Sequence, residues 1–144
     1  MAIQPLVTGD VFSNVRIFSW TGLASGDTGA PLKMPKFSDR TIHVFGTFGA
    51  SGNGILEGSN DPRVETDPNN ADWQPLTDPQ GNALNTITAA RLEQVMENPL
   101  YIRPRASGTG PSLTFILTVS KKGGRHDRRT ARARRAAKTN DDGD

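Results

Sequence analysis

The sequence predicts an all-β fold, a single β-sandwich or jelly roll, from its composition and from its short alternating runs. The chain has 144 residues, of which 15 are glycine, 10 are proline and only 34% are hydrophobic. This balance favours short strands joined by turns over a helical bundle. Seven or eight such strands can be placed in about 105 residues, which is typical of a sandwich. The length allows one domain of ordinary size.

The predicted fold is organised around a β-hairpin. Over residues 42–48 the side chains alternate between two faces, which is the period of a strand. The glycine-rich segment 49–54 tolerates positive φ and predicts a turn back into a second strand over residues 55–59. Trp73 follows a polar loop, and we expect it in a short third strand that covers one face of this hairpin.

The other strands are predicted on either side of the hairpin. Residues 1–13 are interpreted as an N-terminal arm, either held down or free. Residues 15–20 carry apolar side chains on both faces. Residues 100–105 are expected to end as a strand at Pro104, which cannot donate to a ladder. Residues 113–119 are the most apolar run and are expected to close the core.

One segment, residues 88–97, is predicted to be helical. Thr88 is a potential N-cap, and Leu92, Val95 and Met96 fall at helical spacing. The alternative is one helical turn followed by an extended edge.

Two sets of apolar residues are assigned from these elements. The first strand is packed either on both sides or on one side against another subunit, so Phe18 and Trp20 are candidates for a subunit interface. The predicted core includes Val44, Phe48, Trp73, Tyr101, Phe115 and Leu117.

The charge of the chain is divided between a mildly acidic domain and a basic tail. Residues 1–120 carry eight Lys/Arg against eleven Asp/Glu, whereas residues 121–144 carry nine against four. The tail has no large apolar residue and cannot bury a core face, so the chain divides into an arm (1–13), a sandwich domain (14–120) and a flexible tail (121–144).

The tail is the functional signal that composition supports. Arginine pairs well with phosphates and with carboxylates, so we expect the tail to contact nucleic acid or an acidic protein surface. Nucleic-acid binding would be sequence-blind, because no aromatic residues are interleaved for stacking. The alternatives are a solubilising tail and an arm that orders on a neighbouring subunit. The contact candidates are Lys121, Lys122, Arg125, Arg128, Arg129, Arg132, Arg134, Arg135 and Lys138.

No motif in the sequence indicates catalysis or a cofactor. The absence of cysteine excludes disulfides, thiolate zinc sites and cysteine nucleophiles. His43 and His126 have no partner at metal-ligand spacing. The acidic loop 61–72 lacks the residue order of an EF-hand, so solvated turns are favoured over calcium. We therefore expect a protein that is not an enzyme and needs neither metal nor cofactor.

No apolar run approaches the roughly 18 residues of a membrane span. The first residues have neither a basic region nor an apolar core, so they do not resemble a signal peptide. We expect synthesis in a cytoplasm and no membrane partner.

Three motifs carry a resemblance to known families. The segments Glu-Gly-Ser-Asn-Asp (57–61), Asp-Trp-Gln-Pro-Leu (72–76) and Tyr-Ile-Arg-Pro (101–104) resemble the discoidin-like, galactose-binding-like β-sandwich pattern. A second set of segments resembles more closely the small structural proteins of tailed bacteriophages: Phe-Gly-Thr-Phe-Gly (45–49), Leu-Thr-Asp-Pro-Gln-Gly-Asn-Ala (76–83) and Asn-Pro-Leu-Tyr-Ile-Arg-Pro (98–104). That resemblance covers roughly residues 10–119, and the basic tail departs from the short ends of that family.

The phage resemblance implies a decoration or cement protein on the outer capsid lattice. Its partners would be the major capsid protein and two further copies in a homotrimer, and it would be made in the host cytoplasm and located on the virion. The arm and the tail are the expected contacts. The rival is a carbohydrate-binding module of a head or tail fibre, which needs exposed loop aromatics, and only Phe37 is loop-like. Nucleic-acid binding by the tail alone is a second rival, which the acidic domain disfavours.

Overall fold

A computed structural model describes residues 2–12, 14–33 and 35–121, and it shows two β-sheets that form a sandwich. The all-β prediction is confirmed. In chain order the strands are β1 (Ile3–Gln4), β2 (Val7–Phe12), β3 (Val15–Leu23), β4 (Thr28–Gly29), β5 (Leu32–Lys33), β6 (Asp39–Thr47), β7 (Asn53–Ser59), β8 (Gln74–Pro75), β9 (Arg91–Val95), β10 (Tyr101–Ser107) and β11 (Ser112–Ser120). Two 3-10 helices, Pro62–Glu65 and Pro68–Asn70, lie between β7 and β8.

Each sheet is built around one long C-terminal strand. Sheet A has the order β1-β4-β10-β7-β8, and β5 also pairs with β10. Sheet B has the order β2-β3-β11-β6-β9. Among these strands β1 and β4 pair in parallel and the others pair antiparallel. Strands β1 and β2 lie within the segment interpreted as an arm, so part of that segment is held in the sandwich.

The core lies between the sheets and follows the two-residue period of the strands. On β11, Leu113, Phe115, Leu117 and Val119 are fully buried, and the residues between them face outward. Val44, on the neighbouring strand β6 of the same sheet, is paired with Phe115 and is also fully buried. Full burial of one such side chain contributes about 1.5–3 kcal/mol. The prediction that β11 closes the core is confirmed.

The segment between β6 and β7 is a crossover between the sheets, which corrects the predicted hairpin. β6 pairs with β9 and β11 in sheet B, whereas β7 pairs with β8 and β10 in sheet A. The turn itself is tight, because Gly49 has a φ of +68° and a Cβ on Gly52 would lie 1.9 Å from the carbonyl oxygen of Phe48. Turn chemistry fixes where a chain reverses, but it does not decide which sheet the next strand joins.

The segment predicted to be helical contains strand β9, so the helix prediction is wrong; the extended edge of the alternative forms, without the helical turn before it. It pairs with β6 from Arg40 to Val44 and forms one edge of sheet B. Val95 is buried, whereas Leu92 is 65% exposed and Met96 is 50% exposed, so the helical spacing does not describe one buried face. Only three apolar residues supported the helix, which is a weak signal. Pairing with the free edge of β6 gives this segment backbone hydrogen bonds as a strand, and this tertiary contact decides its structure.

Strand β10 continues through Pro104 to Ser107, beyond its predicted end. The backbone N–H of Ala106 donates to the backbone carbonyl of Asp27, 3.0 Å away, on the side of β10 that faces β4. Backbone groups two residues apart point to the same side of a strand, so the nitrogen of Pro104 faces the gap between β4 and β5. The ring fills the space beside Gly29, where a Cβ would lie 2.5 Å from Pro104 Cδ.

The predicted core is correct in part. Val44, Phe115 and Leu117 are fully buried, and Phe48 is half-buried against them. Tyr101 is buried, but on the outer face of sheet A, and Trp73 is half-buried on that same face instead of covering a hairpin.

Phe18 and Trp20 belong to the core of the single chain. The indole N–H of Trp20 donates to the carbonyl of Ala30, 2.9 Å away. Neither side chain is left for a subunit interface, so that assignment is corrected. The cause is that the inner face of β3 packs between the sheets, and its outer face carries smaller residues. Within the described ranges, no helix has the length and apolar character needed to cross a bilayer.

Candidate binding surfaces

The outer face of sheet B lacks charged side chains across its central rows, and we call it the neutral face. Ile116 lies at its centre, opposite Ser19 on one side and His43 on the other, and His43 is opposite Leu92. Val7 at the other edge is 60% exposed. The nearest carboxylate on this face, Asp39, lies at the end of β6. The neutral face comprises Val7, Ile17, Ser19, Thr41, His43, Phe45, Leu92, Gln94, Thr114, Ile116 and Thr118.

Most soluble monomers place charged residues on the exposed face of an antiparallel sheet. Here the exposed rows hold β-branched, aromatic and hydroxyl side chains. His43 stacks at a tilt on Phe45, with 4.9 Å between ring centroids. The exposed Val7 and Leu92 lie at opposite edges of this face, and half-buried Ile17, Phe45 and Ile116 lie between them. Exposed apolar side chains on an uncharged surface are a feature of interaction sites. In the described ranges no three His, Asp or Glu side chains are grouped to hold a metal ion.

A groove of about 500 Å³ opens at the end of the sandwich where β7 finishes, and we call it the acidic groove. Its apolar part includes Pro75, Leu76 and Pro99, and its carboxylates are Asp61, Asp72 and Glu97.

Local packing requires glycine in the floor of the acidic groove. A Cβ on Gly58 would lie 2.5 Å from Pro99 Cγ and 2.7 Å from Leu76 Cδ2. Glycine at position 58 therefore allows Pro99 and Leu76, which also line the groove, to pack directly against β7.

Asp61 is fixed by its neighbours. It accepts hydrogen bonds from the backbone N–H groups of Arg63 and Asp72, each at 2.9 Å. Its carboxylate is 2.7 Å from Arg63 Nη2. The hydrogen bonds from the Arg63 side chain and then from these backbone groups hold the pKa of Asp61 well below its usual range.

The other two carboxylates of the groove carry charge that is not paired. Glu97 accepts a hydrogen bond from the backbone N–H of Thr77 at 2.7 Å and another from the Thr77 hydroxyl. Asp72 accepts one from Gln74 Nε2 at 2.9 Å. Among the residues that the structure describes, no basic side chain forms an ion pair with Asp72 or Glu97. The residues that line the groove therefore include three carboxylates and no basic side chain, and Arg63, paired with Asp61, is the cation that also acts on Asp72.

A buried ionic cluster lies on the outer face of sheet A. Glu57 accepts from Arg103 Nε at 2.7 Å and from Arg105 Nε at 3.3 Å, and Glu57 and Arg103 are both buried. The guanidinium of Arg103 lies over the ring of Trp73, 4.2 Å from its centroid. The indole N–H of Trp73 donates to the carbonyl of Pro68 at 2.7 Å.

This cluster holds the loop between β7 and β8 on the sheet. A second contact does the same, because Tyr101 donates its hydroxyl to Glu65 at 2.8 Å and Lys33 pairs with that carboxylate at 2.7 Å. The Lys33 hydrogen bond, followed by the one from Tyr101, lowers the pKa of Glu65. Within the cluster the buried Glu57 and Arg103 neutralise each other, while Arg105 is 41% exposed, so the cluster acts as a structural anchor.

The structure places one predicted tail contact, Lys121, just after the end of β11. Its side chain is exposed, and its backbone N–H donates to Asn14 at 3.0 Å. The other eight tail candidates, and His126, lie outside the described residues; the candidates are Lys122, Arg125, Arg128, Arg129, Arg132, Arg134, Arg135 and Lys138.

Sequence reasoning missed the acidic groove and the buried cluster. The alternation in Tyr-Ile-Arg-Pro-Arg was the available signal, because it places Tyr101, Arg103 and Arg105 on one face. Glu57 lies at a matching position on β7, opposite Arg103. Nothing in the sequence indicated that β7 and β10 are neighbours. The groove was missed for the same reason, because its residues come from loops that meet only in the folded chain.

Comparison with family models finds no match, and comparison with curated protein sequences finds none either. Among solved structures, the chain is similar to the SPBc2 prophage-derived protein YomS, with a TM-score of 0.53 and 13% identity, over 77% of this chain and 98% of that one. This shows a shared fold. A cupin domain from Bordetella pertussis aligns at 12% identity over 84% of this chain and 98% of that one, with a TM-score of only 0.43.

Proposed function

We propose that the chain is a non-enzymatic virion structural protein that binds the outer capsid lattice and stabilises it. The neutral face carries this proposal, because it presents a surface without charged side chains in its central rows and with exposed Val7 and Leu92. The fold shared with a prophage-derived protein supports a phage setting. The phage-like segments of the sequence, such as residues 98–104, support the same setting.

The physical role follows from what burial does in an assembly. Apolar surface that is removed from water only in the assembled lattice stabilises that lattice by mass action. A neutral surface is suited to this, because burying it against the major capsid protein desolvates no charge. The sandwich supplies the rigidity, since the neutral face is backed by the buried rows of sheet B. A homotrimer at a three-fold position is the assembly that we propose.

Cryo-electron microscopy of the full chain mixed with expanded capsids tests the proposal. We expect density for the sandwich at lattice axes, with the neutral face against capsid protein. Density at lattice axes with sheet A inward would reject the neutral face as the contact. A bare lattice, or density confined to a fibre or a vertex, would reject the capsid role.

The structure does not support the carbohydrate-binding alternative, because its one candidate loop aromatic is not exposed. Phe37, the loop aromatic that sugar stacking would need, is buried, with Arg16 and Lys36 over its ring at 5.6 Å. Trp73 is half-buried and stacks on Arg103. We therefore put forward the capsid role alone.

A further inference from the structure

The acidic groove and the start of the basic tail lie at the same end of the sandwich. Strand β11 ends with Ser120 opposite Asp39 at the beginning of β6. On the other side of β6, Arg40 pairs with Val95, and the chain continues from there to Glu97 at the groove. Two strand spacings, roughly 10 Å, separate β11 from β9. Lys121 therefore emerges at the same end of the sandwich as the groove, although its backbone N–H donates to the carbonyl of Asn14, on the side of β11 away from β9.

The charges of the two regions are opposite. Asp72 and Glu97 lack an ion-pair partner among the described residues, whereas Asp61 is paired with Arg63. Residues 122–144 contain eight Lys/Arg, and five of these are arginines between 128 and 135. Arginine can pair with carboxylates through its planar fork while its aliphatic stem packs on apolar surface. The groove offers both features, because its carboxylates surround Pro75, Leu76 and Pro99.

The tail is long enough to reach the groove. It has 23 residues after Lys121, and an extended chain of that length spans roughly 75 Å. A short tether gives an effective concentration in the millimolar range, so an intrinsically weak contact is well populated. An untethered cation of the same affinity would have to be supplied at millimolar concentration.

We propose that the arginine-rich part of the tail, residues 128–135, binds the acidic groove of its own domain. The bound tail neutralises Asp72 and Glu97 and withholds its arginines from phosphates and from other acidic surfaces. An outside partner then has to displace it, so that binding by the tail competes with the groove. The capsid role is not a premise of this inference, and either can fail without the other.

Paramagnetic broadening in the full-length chain tests the contact. The chain has no cysteine, so Ala133→Cys provides one unique site for a nitroxide label in the tail. We expect the amide signals of Gln74, Leu76 and Asn98 at the groove to lose most of their intensity. The amides of Ser51 and Thr109, in the turns at the opposite end of the sandwich, should keep theirs. Raising the salt from about 0.01 M to about 1 M should restore the groove signals, because the Debye length falls from about 30 Å to about 3 Å.

A charge-matched pair of variants identifies the site. In the labelled chain, Asp72→Asn with Glu97→Gln should abolish the broadening, whereas Asp67→Asn with Glu93→Gln, which alters the same charge outside the groove, should leave it unchanged. Equal effects of the two variants, or broadening spread evenly over the domain, would overturn the groove as the site. Absence of broadening at low salt would overturn the tail contact itself. Broadening that disappears on dilution would assign the tail to the groove of another copy and overturn the intramolecular contact.

Discussion

The outer faces of the two sheets differ in almost every physical respect, although both belong to one sandwich. Sheet A buries Glu57 and Arg103 beneath a loop and stacks Trp73 on the cluster. Sheet B leaves uncharged residues such as Leu92 uncovered. The outer face of sheet A is covered by its own loop and is not available to a partner. The neutral face of sheet B is open, and its apolar residues can be buried further only by a partner. Stability and interaction are therefore expected to reside on opposite sides of the molecule.

Removing the carboxylate of the buried cluster should have the largest effect on stability. Glu57→Gln leaves the Arg103 guanidinium buried without a counter-charge, and breaking a buried pair in this way costs about 3–5 kcal/mol. We expect the free energy of unfolding, measured by urea denaturation, to fall by that amount. The control is Arg105→Gln, because the Arg105 side chain is 41% exposed and its loss should cost at most about 1 kcal/mol. Equal losses in the two variants would contradict the buried anchor.

Asp27 provides a second charge anchor at the edge of sheet A, and acid should weaken it. Its carboxylate accepts from the backbone N–H groups of Ala2 and Ala24, each at 2.9 Å, and from Gln4 at 3.1 Å. The Ala24 hydrogen bond is the main cause that lowers the pKa of Asp27, against the opposing effect of burial.

Because the folded pKa of Asp27 is depressed, its stabilisation is present above the unfolded value of about 3.9 and is lost as the pH falls below it. At neutral pH, Asp27→Asn should lower the free energy of unfolding by about 1.5–3 kcal/mol. The difference from the wild type should shrink below about pH 3.9 in pH-dependent urea denaturation. A difference that stays constant down to acid pH would show that the charge of Asp27 is not what stabilises β1.

Truncating the aromatic cover of the cluster should have a moderate effect. Trp73→Ala removes the ring over Arg103, and a partly desolvated cation–π contact contributes about 0.5–2 kcal/mol. The loop between β7 and β8 should become more accessible, which proteolysis near Pro68 would detect together with thermal unfolding. Unchanged cleavage would mean that Glu65, held by Tyr101 and Lys33, anchors the loop by itself.

A charge on the neutral face should leave the isolated protein almost unchanged. Leu92 is 65% exposed, and substitutions at such surface positions usually change stability by no more than about 0.5 kcal/mol. Leu92→Lys should nevertheless weaken co-sedimentation with capsids, because a buried unpaired charge opposes assembly. Full capsid binding by this variant, with Thr109→Lys at the far turn as control, would exclude this edge of the neutral face from the contact.

Strands could be predicted wherever apolar and polar residues alternate in the sequence. The strands that they pair with could not be predicted. Residues 113–119 showed the two-residue period over a long run, and this period is what burial between two sheets imposes. The crossover at Gly49 was not predictable, because a reversal of the chain does not state which sheet receives the next strand. The strand Arg91–Val95 was mistaken for a helix since its backbone partner, β6, is distant in the sequence.

The same limit applies to the candidate surfaces. Basic residues of the tail are contiguous in the sequence, so composition alone identified them. The acidic groove joins Asp61 to Glu97 across loops that come together only in the folded chain, and no local pattern carries that information. The neutral face needs the register of five strands, which places Leu92 beside His43.

The position of β11 also has a consequence for how the chain is made. The strand Ser112–Ser120 lies between β3 and β6, and its pairing of Ser120 with Val15 joins residues at opposite ends of the domain. During synthesis, the edges of β3 and β6 that pair with β11 stay unpaired until β11 has been made. Long-range pairing of this kind folds slowly, and open edges are prone to pair with other chains. A chain that ends before residue 112 should therefore aggregate more than the full chain, because both edges stay unpaired.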